Sequence, residues 1–508
     1  IEDAAVPVAK LPDYVERVAA LMTSLGVTGS FYGHAGSGLL HIRAKYDIHT
    51  REGIAIYRAL AEGVSQLVRE FRGAISAEHG VGIERTEFMD EHVPKELLGI
   101  MAEIKKVFDP AGVMNPGKIL DTKRYRVDAD LRVNLDKPLE LPFEPVLAFA
   151  EKDESFIGNL EQCNGCGGCR KDTPTMCPTF IVTGEEAMST RGRANIIRAV
   201  LEQRLDPDTP AVLSEELEKA IGHCLSCKAC LNECPSNVNL ALLKAELLHA
   251  RHKRTGVPLA ARVFSRVDLL GKLGCMTPRL ANATLENGAV RAIMARALGI
   301  SPRRPLPPYT LERFDRWFHA RGTSNAEAPR GEVALWDDCF VRYNDPHIGQ
   351  AAVRVLEAAG FRVTLPKNAA CCGRPAFSMG RLDVAKRFGE RNAAALGGAN
   401  VPIVFLEPSC YSMFRQDYTE LRVPGAEALA QRAFLFEDFV EALLEREPDA
   451  LKFKEDAAAI TAIHAHCHSK ALTDTVAQTN LLKRIPGNTV TMLDTGCCGM
   501  AGAFGALE

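Results

Sequence analysis

The chain has 508 residues, a net charge of −3 and 46% hydrophobic residues. That length suits about three domains, and the near balance of charge excludes a bulk electrostatic drive toward nucleic acid or acidic lipid. No apolar run approaches membrane-span length, and most of the 16 cysteines fall at metal-ligand spacings, which argues for a reducing compartment, the cytoplasm, over a disulfide framework.

Residues 1–122 alternate helical and strand patterns. Leu11 to Leu25 predicts an amphipathic helix, and Val27 to Tyr32 and Leu39 to Ala44 predict strands around a glycine-rich turn. Helices are expected over Thr50 to Phe71 and over Lys95 to Phe108, the latter stopped at Asp109-Pro110. The turn Gly33-His34-Ala35-Gly36-Ser37-Gly38-Leu39-Leu40-His41 sets two imidazoles on flanking strands, and Ala77-Glu78-His79-Gly80-Val81-Gly82 follows downstream. Two histidines and a carboxylate suit a divalent metal with open positions; a glycine turn with two solvated histidines is the competing reading. If the Glu78 segment is extended, His79 points away from Glu78. Residues 123–150 form a Pro-bearing linker within a poorly periodic stretch.

Residues 151–255 hold Cys163-x2-Cys166-x2-Cys169 with Cys177-Pro178, then Cys224-x2-Cys227-x2-Cys230-x3-Cys234-Pro235. This is the spacing of two [4Fe–4S] clusters, with the fourth Cys of each run serving the other cluster. Zinc ribbons also use CxxC pairs, but zinc takes four thiolates, usually as two pairs, and each run here offers three close ones and a distant fourth. Helices are expected near Gly192 to Gln203 and Ser214 to Ile221. His223 reads as a capping or solvated residue. The run Arg251-His252-Lys253-Arg254 reads as a helix's solvated end, with contact to acidic lipid at the inner membrane face the minority reading. Residues 256–330 form a helical connector containing a lone Cys275, read as a buried small apolar residue.

Residues 331–508 carry a repeat. A strand over Val333 to Trp336 leads to Cys339. The helix His347 to Ala359 and the strand Phe361 to Leu365 lead to Cys371-Cys372-Gly373. The helix Leu382 to Leu396 and the strand Val401 to Leu406 follow, then Cys410. A strand over Ala459 to Ala465 then reaches Cys467, and the strand Thr489 to Leu493 reaches Cys497-Cys498-Gly499. This predicts an α/β unit with parallel strands, used twice, its two cysteine sets meeting across a pseudo-twofold. The thiolates suit a third metal centre, Fe–S or Zn; a strained disulfide between vicinal cysteines is the alternative.

Three resemblances follow from these motifs. The stretch GAISAEHGVGIERTEFM…IKKVFDPAGVMNPGKIL (Gly73 to Leu120), with YGHAGSGLLHIR, resembles the C-terminal region of FAD-linked oxidases that act on D-2-hydroxy acids. The resemblance implies that His34, His41 and Glu78 bind Zn or Mn at the substrate, that His79 serves as base or hydroxyl orienter near the flavin, that Arg43 clamps a substrate carboxylate and that Asn115 lies near the flavin ring. Relatives often have GDGN where this chain has Gly36-Ser37-Gly38-Leu39, which removes metal ligation by the loop itself. Cys177-Pro178 with Ser189-Thr190-Arg191-Gly192-Arg193 resembles the [4Fe–4S] module fused behind such oxidases. The motifs around Cys339, Cys371, Cys372, Cys410, Cys467, Cys497 and Cys498 resemble the CCG cysteine-rich domain, whose full repeats carry a final CxxC; here Met413 stands at that spacing after Cys410.

The fold class expected is multidomain, α+β and α/β: an α+β FAD-oxidase cap over 1–122, an all-α ferredoxin-like domain over 151–255 and an α/β cysteine-rich domain over 331–508. The start at Ile1 without Met and the end ten residues after Cys498 read as a piece of a longer protein, with FAD held mainly by residues outside this chain. The function implied is oxidation of a D-2-hydroxy acid, D-lactate or D-2-hydroxyglutarate, with electrons passing through two [4Fe–4S] clusters to quinone or a carrier protein. The alternative is a non-catalytic electron-transfer subunit serving a separate flavoprotein.

Overall fold

A computed structural model describes the chain except residues 1, 134, 136–137, 151–153, 172–175, 206, 323–327, 399, 456–459, 501–503 and 508. Two compact units result, Ile1–Pro138 and Leu139–Glu508.

In the first unit, three antiparallel strands run in the order β1 (Asp3–Ala5), β3 (Leu39–Lys45), β2 (Thr28–His34). The helix Leu11–Ser24 has Pro in its first turn and buries Tyr14, Val18 and Met22, one side of a 3.6-residue period. The helix Arg51–Glu70 begins where the Thr50 hydroxyl accepts the Gly53 N–H at 2.9 Å, and it buries Leu60, Val64, Leu67 and Val68. Both helices pack with Ala4, Leu40 and Ile42 of the sheet into one core. The β2–β3 turn is close to the one expected, and glycine is required at Gly38: its φ is +72°, and a Cβ would collide with the Val6 carbonyl. The helix Lys95–Phe108 buries no residue, and its Leu97, Ile100, Ile104, Val107 and Phe108 are exposed.

The second unit opens with helices. Ser189, Ser214 and Asn239 cap the helices Thr190–Leu201, Glu215–Gly222 and Leu240–Thr255 by accepting backbone N–H groups of their first turns. The last of these helices is buried on all sides along Leu240–Leu247, which masks its periodicity. Its wholly buried Glu246 accepts the Val146 and Leu147 N–H groups at 2.9 and 2.8 Å, tying the end of the linker to the helical region. The run after Arg251 is less solvated than expected: Arg251 bonds Glu218 at 2.6 Å and Val212 O at 3.1 Å, and Arg254 bonds Pro142 O at 3.1 Å. Among the described residues the connector forms five short helices, Leu259–Phe264, Val267–Gly274, Pro278–Glu286, Gly288–Leu298 and Phe314–Ala320. Cys275 is buried there, its Sγ 3.5 Å from Tyr343 O.

The α/β part holds a parallel sheet in the order β5 (Arg362–Thr364), β4 (Glu332–Trp336), β6 (Ile403–Phe405), β7 (Ala433–Leu435). Val333 and Leu335 of β4 face one core and Ala334 and Trp336 the other, so the central strand is covered on both faces, as parallel sheets require. The repeat is unequal. Strands β8 (Ile460–Ile463) and β9 (Thr489–Met492) pair in parallel, but as a separate two-stranded sheet with no buried residue in either strand. Ala459, the expected first residue of β8, lies outside the described residues.

Replacing Glu246 by Ala strands two buried N–H groups, so Glu246→Ala should cost roughly 2–4 kcal/mol of second-unit stability. A denaturant midpoint unchanged from the parent chain would contradict this.

Candidate active site and metal centres

The first unit gathers imidazoles and carboxylates around the β2–β3 hairpin. His41 is buried on β3 and lies opposite both Asp3 and Tyr32 in the sheet register. Its Nε2 is 3.0 Å from Glu78 Oε1, and His34 Nε2 is 3.7 Å from Glu78 Oε2. Asp3 holds the Glu78 segment in place. Its carboxylate accepts the N–H groups of Ala77, Glu78 and His79 at 3.0, 3.2 and 3.0 Å. Burial alone would raise the Asp3 carboxyl, but the three N–H groups outweigh it and hold the group below its usual value.

This wrapping corrects the orientation expected of His79. Residues 77–79 bend around Asp3 and are not extended, so His79 turns to the same side as Glu78. Its ring stacks on His41 with centroids 4.9 Å apart and planes 13° apart, and its Nδ1 is 3.1 Å from Glu2 Oε1. Ligand atoms of Asp3, His41, Glu78 and His79 lie within 4.8 Å of one another. His41 Nδ1 and Glu2 Oε2 are buried, 3.5 Å apart, and have no hydrogen-bond partner. Such a donor set, with polar atoms left over, fits a divalent cation. Arg43 stands two residues along β3 from His41, its Nε donating to the Tyr32 hydroxyl at 3.1 Å. Asn115 bonds Lys118 at 3.2 Å in a loop joined to the segment after Glu78 through Ile119 N–H, which donates to the Thr86 hydroxyl at 2.9 Å.

In the second unit, one pocket is lined by Cys177, Cys224, Cys227 and Cys230, with Arg193 and Lys228. Three of these cysteines come from the second run and one from the first. Cys177 takes a left-handed φ of 55° immediately before Pro178 opens the helix Pro178–Thr183, and this turns its thiol out of its own run. Burial pushes the Cys177 thiol up to about 11, with Thr190, whose hydroxyl lies 3.0 Å from Sγ, and Arg193 pulling the other way. Burial raises Cys227 and Cys230 as well. Four cysteines from two runs converging on one pocket fit an iron–sulfur cube, whose irons take four thiolates.

The loops between cysteines aim N–H groups at sulfur. Left-handed residues Gly165, Gly167, Ser226 and Lys228 curl them, and Gly168 N, Ser226 N and Arg191 N lie 3.4, 3.5 and 3.2 Å from the sulfurs of Cys166, Cys224 and Cys169. Cys163 and Cys169 are buried, and a Cβ at Gly168 would lie 3.6 Å from Cys166 Sγ and 3.5 Å from Pro235 Cδ. Pro235, next to Cys234, therefore sits beside the first run. His223 caps its helix, with Nδ1 2.8 Å from Lys219 O.

The cysteine-rich part has two thiol groups. Cys372 and Cys410 have sulfurs 3.0 Å apart, and Cys371 is held below the usual thiol value by the neighbouring Cys339 and Cys372 thiols. Cys497 is pulled down to about 6 by the Cys467 thiol, against burial, with help from Gly499 N–H and Cys498. The elements carrying the two groups touch: His466 Nε2 is 3.5 Å from the Ser409 hydroxyl and 3.7 Å from Glu407 Oε1. The second group also abuts the ferredoxin-type loops, where His468 Nε2 is 3.1 Å from Ser226 O and the Cys497 sulfur adds to the upward push on Cys227.

Asp3, Glu2 and Tyr32 carried no signal in the sequence, because their roles depend on a strand pairing and a bend more than 70 residues apart in the case of Asp3. Lys228, within the second cysteine run, could have been noticed as a charge placed where burial was certain.

Known proteins share this arrangement. Residues 1–119 match the FAD linked oxidases, C-terminal domain; residues 159–238 the 4Fe-4S dicluster domain; and residues 333–415 the cysteine-rich domain. The chain is 28% identical to D-2-hydroxyglutarate dehydrogenase of Pseudomonas putida over 99% of its own length and 53% of that protein. The same enzyme of Escherichia coli is 26% identical over the same shares. One subunit of the anaerobic glycerol-3-phosphate dehydrogenase of Escherichia coli is 30% identical over 53% of this chain and 68% of that protein. The chain belongs to the family of proteins that join these FAD-oxidase C-terminal, 4Fe-4S dicluster and cysteine-rich domains. It spans about half the length of the curated D-2-hydroxyglutarate dehydrogenases it matches.

Asp3→Ala releases three N–H groups at once, so it should cost roughly 2–4 kcal/mol in the first unit and weaken zinc binding about tenfold or more. Because Asp3 is held below its usual 3.8, its contribution is complete above that pH and fades as acid protonates it, so the stability deficit of the variant should narrow on acidification. Zinc titration and acid melts check both parts; equal affinity in parent and variant would refute the role.

Proposed function

We propose that the chain is the C-terminal part of an FAD- and iron–sulfur-dependent dehydrogenase of D-2-hydroxy acids, of the D-2-hydroxyglutarate or D-lactate class. The observation that carries this reading is the convergence of His41, Glu78 and His79, with His34 beside Glu78, in a chain that also builds a four-thiol cavity. When bound, FAD supplies the two-electron acceptor, a Zn or Mn ion the pull on the substrate hydroxyl, and two [4Fe–4S] clusters the one-electron relay.

His34, His41 and Glu78 hold the divalent ion and leave positions for the substrate's hydroxyl and carboxylate oxygens. His79, stacked on His41 and exposed at its other edge, takes the hydroxyl proton. Arg43, oriented by Tyr32, binds the acid's carboxylate. Asn115 faces the flavin ring in this reading. Cys224, Cys227, Cys230 and Cys177 hold one cluster, and Cys163, Cys166, Cys169 and Cys234 the other. The thiols of Cys339, Cys371, Cys372 and Cys410, with Cys467, Cys497 and Cys498, hold a further Fe–S or Zn centre.

Electrons leave for a quinone or a carrier protein. Among the described residues no helix is long and apolar enough to cross a membrane. Leu269 and Leu273 on the helix Val267–Gly274, with Met276 and then Leu280 on the next helix, are exposed with Lys272 and Arg279 among them, which supports contact with the inner membrane face from a cytoplasmic location. An electron-transfer subunit serving a separate flavoprotein is the second reading, favoured by the match to a glycerol-3-phosphate dehydrogenase subunit over half of this chain.

Two experiments separate these readings. Anaerobically prepared protein should hold about eight irons and eight sulfides in the two dicluster sites, and Cys177→Ser should lose the cluster of the Cys224 run; stoichiometric zinc without sulfide would sink the assignment. In a full-length protein carrying FAD, His41→Ala should abolish flavin reduction by the hydroxy acid while iron and sulfide stay constant. Undiminished flavin reduction would remove the metal role of His41, and a parent protein that holds no FAD or whose flavin the hydroxy acid does not reduce would return the function to the electron-transfer reading.

A further inference from the structure

Lys228 lies between Cys227 and Cys230, and its side chain is 1% exposed. Its Nζ donates to Asp417 Oδ2 at 3.0 Å and to Gln416 Oε1 at 2.9 Å. Asp417 is wholly buried and also accepts the Ser412 hydroxyl at 3.1 Å and the Arg374 guanidinium. Arg374 in turn bonds Ser412 at 2.9 Å. These residues are spread over both cysteine sites. Lys228 lines the four-thiol cavity, Arg374 directly follows Cys371-Cys372-Gly373, and Ser412 lies two residues after Cys410.

Two cations, Lys228 and Arg374, share the one carboxylate of Asp417, away from water and beside two thiol-rich sites. A charge placed there is weakly screened. Arg193, also buried, stands on the cavity's other side, with Nη1 4.0 Å from Cys177 Sγ. The first run is served differently. Its nearby cations Arg170 and Arg191 both pair with Glu186, at 2.9 and 2.8 Å; Arg170 and Glu186 are about half exposed and Arg191 is 23% exposed, so water screens this group more than the Lys228 group.

Reduction adds one negative charge to a cluster, and a fixed, buried positive charge stabilises the reduced form. We propose that Lys228 and Arg374, joined by Asp417, set the cluster of Cys177, Cys224, Cys227 and Cys230 at a higher midpoint potential than the cluster of Cys163, Cys166, Cys169 and Cys234. One electron given up by the cluster of Cys163, Cys166, Cys169 and Cys234 is then taken up by the cluster of Cys177, Cys224, Cys227 and Cys230, with no bond made or broken. Electrons thereby collect where the dicluster loops meet the cysteine-rich thiols. Lys228 and Arg374 act through the cluster, as tuning residues. The inference rests on the two-cluster reading above.

The test is a redox titration of the anaerobically prepared holoprotein followed by electron paramagnetic resonance, with iron and sulfide counted in each sample. The parent protein should show two separated midpoints, and Cys177→Ser should remove or alter the higher one. Lys228→Met should lower the higher midpoint and leave the lower in place, Asp417→Asn should raise it, and Lys228→Arg should leave it where it was. Opposite signs in the Met and Asn variants distinguish electrostatics from simple damage to the loop. Equal midpoints in the parent protein, assignment of the higher one to the other cluster, or shifts of the same sign in both variants would overturn the proposal. The parent comparison decides the matter even where a variant fails to fold. A parent protein free of iron and sulfide would remove the cluster reading itself.

Discussion

Cys177 leaves its own run and enters the cavity of Cys224, Cys227 and Cys230, and much of the larger unit is arranged to make that exchange hold. Its left-handed backbone and the proline after it reverse the chain. Ser189, Thr190 and Arg193 then form the wall behind its sulfur: Ser189 caps the helix, Thr190 faces Sγ, and the buried Arg193 reaches Ala220 O at 2.7 Å, so one guanidinium spans both runs. Burial raises the thiols of Cys177, Cys227 and Cys230, and metal ligation would hold them as thiolates.

The same constraint extends to the cysteine-rich part. A buried lysine, arginine and aspartate would each be costly alone. Together they pair, with Arg374 Nε and Asp417 Oδ1 left without a hydrogen-bond partner among the described residues, and against the large upward push of burial Arg374 and Lys228 hold the Asp417 carboxyl below its usual value. Asp417 ends the π-helical turn Met413–Asp417, and the next residue, Tyr418, donates to Cys372 O at 2.8 Å. A local departure from α-helical geometry thus brings one side chain to the ion group and the next to the vicinal cysteines. The first unit solves a related problem with less material, since one buried carboxylate, Asp3, gathers three N–H groups and so aims Glu78 and His79 at His41.

Much of this was legible in the sequence because cysteine spacing and glycine turns act locally. The three-residue intervals within each cysteine run, the Cys-Pro ends and the His34–His41 hairpin were readable as written, and the helices Lys95–Phe108 and Leu382–Leu396 fall where their periodicity placed them. What was not legible depends on distant pairing. The direction of His79 follows from a bend around Asp3, and the inequality of the repeat follows from β8 and β9 standing as a separate pair. The individual helices of the connector were not separable in the sequence because the five described ones are short and broken at Ser265-Arg266, Thr277, Asn287 and 299–313.

Diffraction from crystals of anaerobically prepared protein, recorded on both sides of the iron absorption edge, is the most direct check on the exchanged cysteine. Anomalous density for a four-iron cube should fill the cavity bounded by Cys177, Cys224, Cys227 and Cys230, with sulfur of Cys177 bound to one of its irons. A single zinc at that place, or a cube completed by Cys234 in place of Cys177, would contradict the account.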